Sequence, residues 1–138
     1  MLDRLPQTVT TSVTLTLSAA GGEADIAAEL RYDPADPFAV SLVIGDDPDA
    51  VVVWTFAREL LQAGVAAPAG GGDITIEPAA DRSGRAMIRI TLATDCVATM
   101  LLARDGAVEF LVESYSLVPS GCELDRIDLD AEIAALLG

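Results

Sequence analysis

Between Thr8 and Ile44 the chain alternates apolar and polar residues in three successive runs, and this period of two limits what it can fold into. Val9, Val13, Leu15 and Leu17 share one side of the first run, with Thr and Ser on the other. Ile26, Ala28, Leu30 and Tyr32 repeat the pattern after Gly21-Gly22, and Phe38, Val40, Leu42 and Ile44 repeat it again. Successive side chains of a strand point to opposite faces, so each run reads as a half-buried strand. The second and third runs are joined by "DPADP", with Asp33-Pro34 and Asp36-Pro37. A residue before proline is pushed to extended backbone, and the proline fixes the next φ. The connection therefore reads as a rigid corner that sets the register of two strands, or as a stiff acidic loop used for docking.

The rest of the chain changes period. "VVVWTF" is a short apolar fourth strand ending at Phe56. In "TFARELLQAG", Phe56, Leu60 and Ala63 lie on one helical stripe with Leu61 beside it. Thr55 is placed to cap the first turn, and Gly64 to follow the last. "APAGGGD" reads as a loop. "DITIEPA" and "RAMIRITLA" read as a hairpin with "ADRSG" at its tip. Residues 97–103 predict a further strand. Asp105 is placed to cap a helix over 106–118, with Val108, Leu111, Val112 and Tyr115 on one face. Pro119-Ser120-Gly121 stops it, and a last helix is expected over 129–137. Antiparallel strands interrupted and followed by two or three helices define an α+β fold, with residues 1–138 as one domain.

Charge and residue types narrow the chemistry. The formal net charge is −14, all eight cations are arginine, and the chain has neither lysine nor histidine. So acidic a chain suits neither a phosphate backbone nor an anionic membrane surface. The missing histidine removes Ser-His and Cys-His pairs, and the missing lysine removes a Schiff base and a P-loop. Two cysteines, Cys96 and Cys122, are too few for a zinc site without histidine or for a disulfide framework, and read as small buried apolar residues. "DDPDA" (46–50) lacks the central glycine and distal glutamate of a calcium loop and reads as a hairpin turn. "DLDAE" (128–132) reads as a helix start. No catalytic, metal or cofactor site is expected. The opening "MLDRLPQTVTT" carries Asp3 and Pro6 and no apolar core, so it does not read as a secretory signal. A reduced, cytoplasmic protein is the expectation.

Four segments together resemble the SsgA-like family of sporulation and cell-division regulators of actinobacteria. They are "LRYDPADPFAV" (30–40), "VVWTFARELLQAG" (52–64), "PAGGGDITIEP" (68–78) and "IDLDAEIAALL" (127–137), in the family's order and spacing. The resemblance is strongest to its SsgB-type branch. It implies a non-enzymatic regulator without a cofactor, which helps place the division septum by recruiting the tubulin-like protein FtsZ. It also implies SsgA-type paralogues as partners. The implied fold has two packed, mostly antiparallel sheets, like the plant Whirly single-stranded-DNA-binding proteins, in a homotrimer. Because FtsZ proteins are acidic too, the expected contact uses apolar anchors and local arginine–carboxylate pairs rather than long-range attraction.

Five residues are the candidates for partner contact: Asp33, Asp36 and Phe38 at the corner, and Arg82 and Arg85 at the hairpin tip, where Arg89 follows. Trp54, in its apolar strand, reads as core, and Arg58 flanks the same strand-to-helix junction. The competing reading is a single-stranded nucleic-acid binder, suggested by the Whirly likeness alone. Such proteins need a basic groove with stacking aromatics, and aromatics here are 4% of residues.

Overall fold

The alternating runs become long strands because only a sheet can bury every second side chain along them. The computed structural model describes residues 8–94, 97–126 and 136. Strands β1 (Val9–Ala19), β2 (Gly22–Tyr32), β3 (Ala39–Ile44) and β4 (Val52–Ala57) form one antiparallel meander. Helix α1 (Arg58–Gly64) leads to a second meander of β5 (Ala69–Gly71), β6 (Ile74–Ala80), β7 (Ala86–Ala93) and β8 (Val97–Ala103). Helix α2 (Arg104–Leu117) and a 3₁₀ turn, Glu123–Arg126, follow.

The two meanders are not two packed sheets. β1 and β8 pair through Thr16–Leu101, Leu17–Met100 and Ser18–Thr99. All eight strands thus belong to one sheet, ordered β4-β3-β2-β1-β8-β7-β6-β5. Alternation reports which face of a strand is buried, not which strand lies beside it. The two arrangements therefore share one sequence pattern, and the three-pair seam decides between them.

That sheet has to curl. β4 and β5 are its opposite edges, and laid flat they would stand roughly 34 Å apart at the usual strand spacing. Seven helical residues span about 10 Å, and residues 65–68 add at most about 14 Å. Since α1 packs on β4, β5 and β6 at once, the edges are drawn together. α2 fills the inside, against β1, β2, β7 and β8. The core is Leu15, Leu30, Leu42, Ile76, Ile88, Ile90, Leu102 and Phe110, each with no exposed surface, with Leu61 of α1 among them. Each such side chain contributes about 1.5–3 kcal/mol of burial.

Several local expectations are corrected. Ala69–Gly71 is strand β5, not loop. Its glycines carry no side-chain pattern that could announce it, and its partner β6 supplies the pairing. Thr55 does not cap α1. It lies in β4, with its hydroxyl 3.3 Å from Ser41 Oγ across the ladder, and the cap position falls on Ala57. Gly64 is the last helical residue, not the one after it. It is glycine because a Cβ there would stand 2.3 Å from Ile76 Cγ2. α2 begins two residues earlier than a cap at Asp105 requires, with Ala103 at the cap. Its buried face is Ala107, Phe110, Leu111 and Ser114, while Val112 is 61% exposed. Ser114, buried on that face, satisfies its hydroxyl on the Leu111 carbonyl at 2.9 Å.

Other readings hold. The "ADRSG" tip joins β6 to β7, and residues 97–103 form β8. Asp46–Ala50 is a turn, with the Asp49 N–H donating to Asp47 Oδ1 at 3.0 Å. Cys122 is a free thiol, half-buried rather than buried. Cys96, the "DLDAE" acids and, but for Leu136, the last expected helix lie outside the described residues.

Candidate interaction surface

The doubled Asp-Pro corner sorts its residues by type. Pro34 and Pro37 are buried, while Asp33, Ala35, Asp36 and Phe38 are exposed. Asp33 Oδ1 accepts from the Ala35 N–H at 2.9 Å, and the Asp33 carbonyl accepts from the Asp36 N–H at 2.9 Å. The Asp36 carbonyl then accepts from the Ala39 N–H at 3.2 Å. From inside, the Tyr32 hydroxyl donates to the Pro37 carbonyl at 2.9 Å. The corner is thus stiffened by two prolines and four hydrogen bonds. It holds two carboxylates and a ring, Phe38 being 49% exposed, toward solvent. Preordered loops lose little entropy on binding.

Behind the corner sits Arg58, which sequence reasoning left at the surface of a junction. It is 1% exposed. Its N–H donates to the Phe38 carbonyl at 2.8 Å. Its guanidinium stands 4.5 Å from the Tyr32 ring centroid and 3.9 Å from that of Tyr115. Nη1 donates to the Ser114 carbonyl and Nη2 to Glu123 Oε2, both at 3.0 Å. One side chain therefore ties the corner, α1, the end of α2 and the 3₁₀ turn. Its partners lie 56 and 65 positions away in sequence, so no local motif announces them. Nearby, burial pushes the Tyr115 phenol up, and its hydroxyl donates to Gln62 Oε1 at 2.7 Å. Trp54 is partly buried and packed on the core, as expected.

Glu123 carries the pH dependence of this clamp. Its own backbone N–H, then the Arg58 guanidinium, hold its carboxyl below the usual range, and Oε1 also accepts from the Gly121 N–H at 2.8 Å. A carboxylate depressed by folding stabilises above its unfolded pKa and loses that contribution as pH falls through the folded value. Glu123→Gln is therefore expected to lower the urea midpoint at neutral pH. The gap to wild type should close as pH falls below the ordinary glutamate value of about 4.3. Urea titrations at the two pH values check this.

The second candidate group lies on the β6–β7 tip. Asp81 Oδ1 accepts from the Ser83 hydroxyl at 2.7 Å and from the N–H groups of Ser83 and Arg85, each at 2.9 Å. The Ser83 hydroxyl, foremost, holds the Asp81 carboxyl below its usual range. This turn presents Arg82 and Arg85 to solvent. Arg89 is engaged instead, 3.7 Å from Glu77 directly across the ladder. Strand polarity sets the tip and the corner at the same end of the sheet: Tyr32 pairs with Val9 there, and Met87 with Ala103. The structure shows no contact between the two groups.

On the outer face of the first meander, Ser12, Thr14, Ala27 and Val43 line a groove of about 730 Å³ that reaches Gly45 and Pro48 at the other end of β3. A smaller one of about 420 Å³ continues past Arg31 to Asp33 and Asp36. Val43 and Val53 line both, beside hydroxyls, alanines and the Glu29–Arg31 pair. Among the described residues no group of three or more metal-ligating side chains converges, and no helix is long and apolar enough to cross a membrane.

A curled antiparallel sheet wrapped on one helix, with rigid charged corners at one end, defines a small α+β domain. The family model described as "Streptomyces sporulation and cell division protein, SsgA" matches residues 26–123, and the chain belongs to that family. Its relatives include the sporulation-specific cell division protein SsgB of Frankia casuarinae, 43% identical over 94% of this chain and 91% of its own length. The SsgB of Streptomyces coelicolor is 36% identical over 81% of this chain and 82% of its own length. The crystal structure of an SsgA-like sporulation-specific cell division protein from Thermobifida fusca superposes with a TM-score of 0.82 at 34% identity, covering 97% of this chain and 98% of that one. A structure described under SsgB and longitudinal cell division during sporulation of Streptomyces coelicolor gives 0.81 at 29% identity, covering 91% and 100%.

Proposed function

We propose that the chain is a non-enzymatic regulator of sporulation-specific cell division that helps position the septum by recruiting FtsZ. What carries this reading is family membership over most of the chain, with relatives named for sporulation-specific division. In this reading the protein is cytoplasmic, works at the septum as a homotrimer, and is brought there by an SsgA-type paralogue. Phe38, flanked by Asp33 and Asp36, is the anchor offered to the partner, and Arg82 and Arg85 add local pairing with its carboxylates. Anchors of this kind carry most of an interface's energy.

Co-sedimentation with purified FtsZ polymers tests it, with a single-stranded oligonucleotide as the competing ligand. The protein is expected to pellet with FtsZ, to ignore the oligonucleotide, and to stay bound from low to moderate salt. Phe38→Ala should weaken binding by about tenfold or more, the scale of 1.4 kcal/mol or above. Binding to the oligonucleotide, no pelleting with FtsZ, or a steep loss of binding with salt would overturn the reading.

A further inference from the structure

Phe38 is a half-exposed ring on a backbone held from both sides. Two peptide planes flank it, and their orientation sets where the ring points. The plane after it is tied at both ends. The Phe38 carbonyl accepts from the Arg58 N–H at 2.8 Å, and the Ala39 N–H donates to the Asp36 carbonyl at 3.2 Å. Arg58 opens α1, where no side chain caps the helix, so this carbonyl also takes one of the helix's orphan N–H groups. The plane before it carries the Pro37 carbonyl. Proline fixes its own φ but not its ψ, and ψ is the rotation that swings this plane. Among the described residues, the hydrogen-bond partner of the plane is the Tyr32 hydroxyl, at 2.9 Å.

We propose that Tyr32 is a positioning residue for partner binding: without touching the partner, its hydroxyl locks the Pro37–Phe38 plane and so aims the Phe38 ring. This rests on Phe38 being the anchor offered to FtsZ. Tyr32 is itself firmly placed. It is 1% exposed at the end of β2, and its ring centroid lies 4.5 Å from the guanidinium of Arg58, whose backbone N–H holds the other plane. The two residues that hold Phe38 thus hold each other. A phenylalanine at position 32 would fill the same space and need no acceptor, whereas a buried tyrosine hydroxyl has to find one. Here it finds one on the plane that Pro37 leaves free to rotate. The ring so aimed leaves about half its surface to solvent, so its order contributes little to the chain's own core. An anchor already ordered loses less entropy when a partner closes over it.

Tyr32→Phe, read by NMR relaxation of the backbone amides and by co-sedimentation with FtsZ, tests this. The variant keeps the ring and removes the hydroxyl. The order parameter of the Phe38 amide is expected to fall from the rigid range of about 0.85 toward about 0.6, with Val40 and Leu42 of β3 unchanged. Binding to FtsZ should weaken by about threefold to tenfold, the span of ordering one side chain on binding. In a Phe38→Ala background the same substitution should cost nothing further, because the ring it aims is gone. Tyr115→Phe is the control. It strips the other ring beside Arg58 of a hydroxyl that donates to Gln62, and it should change neither reading. A Phe38 amide that stays rigid in Tyr32→Phe, or a loss of binding that persists undiminished in the Phe38→Ala background, would overturn the proposal. Full binding by Phe38→Ala alone would instead sink the anchor, and the positioning role with it.

Discussion

Arg58→Ala is expected to be among the most damaging single substitutions in the chain, lowering stability by about 3 kcal/mol. Removing one member of a buried pair costs about 3–5 kcal/mol. The lower end applies because the Glu123 side chain is 15% exposed and water can reach it afterwards. The Ser114 carbonyl loses its donor, and two tyrosine rings lose the cation between them. Against a typical total of 5–15 kcal/mol this is a large fraction, and a melting drop on the order of 10 °C follows for a chain of this length. Arg58→Lys should recover less than half. A single ammonium cannot reach both acceptors while lying flat between two rings. Urea unfolding checks both variants, with a shifted midpoint at unchanged slope as the signature of lost stability. An Arg58→Ala midpoint equal to wild type would show that the clamp is not structural.

Gly64→Ala is expected to cost about 2 kcal/mol, although alanine is the better helix former by about 1 kcal/mol. The added Cβ would stand 2.5 Å from Ile76 Cβ and 2.9 Å from the Ile76 carbonyl oxygen. Neither is the tip of a flexible chain, and overfilling a packed site costs about 1–3 kcal/mol. Clash therefore wins over propensity. Gly71→Ala is the control. Nothing lies within 4 Å of its Cβ position, so it should change stability by well under 1 kcal/mol. Thermal melts of the two variants side by side decide the sign.

These two positions also show how far the sequence could be read. β1, β2, β3 and the β6–β7 hairpin were legible because period two reports burial one residue at a time. What depends on distant partners was not. Arg58 looks like any arginine opening a helix until Tyr32, Ser114, Tyr115 and Glu123 are brought around it. Gly64 looks like a helix stop until Ile76 is laid against it. On α2, apolar spacing put Val112 on the inner face with Val108, Leu111 and Tyr115, whereas the buried face is Ala107, Phe110, Leu111 and Ser114. At the corner, alternation carried Phe38 into the third strand, but β3 begins at Ala39 and leaves the ring outside. Asp33 and Asp36 were read from the same stretch, and their exposure follows from the prolines turning inward.

The β1–β8 seam has a consequence for how the chain comes to be made. Thr16 waits for Leu101, and Ser18 for Thr99. During synthesis the first meander leaves the ribosome with β1 as an open edge, and its inner face lacks α2 until the chain is nearly finished. Pairings this distant in sequence are slow to form. A nascent chain stalled before residue 97 therefore carries two bare edges and an uncovered apolar face. For this protein the last third of translation, more than the first, sets its exposure to chaperones and to aggregation.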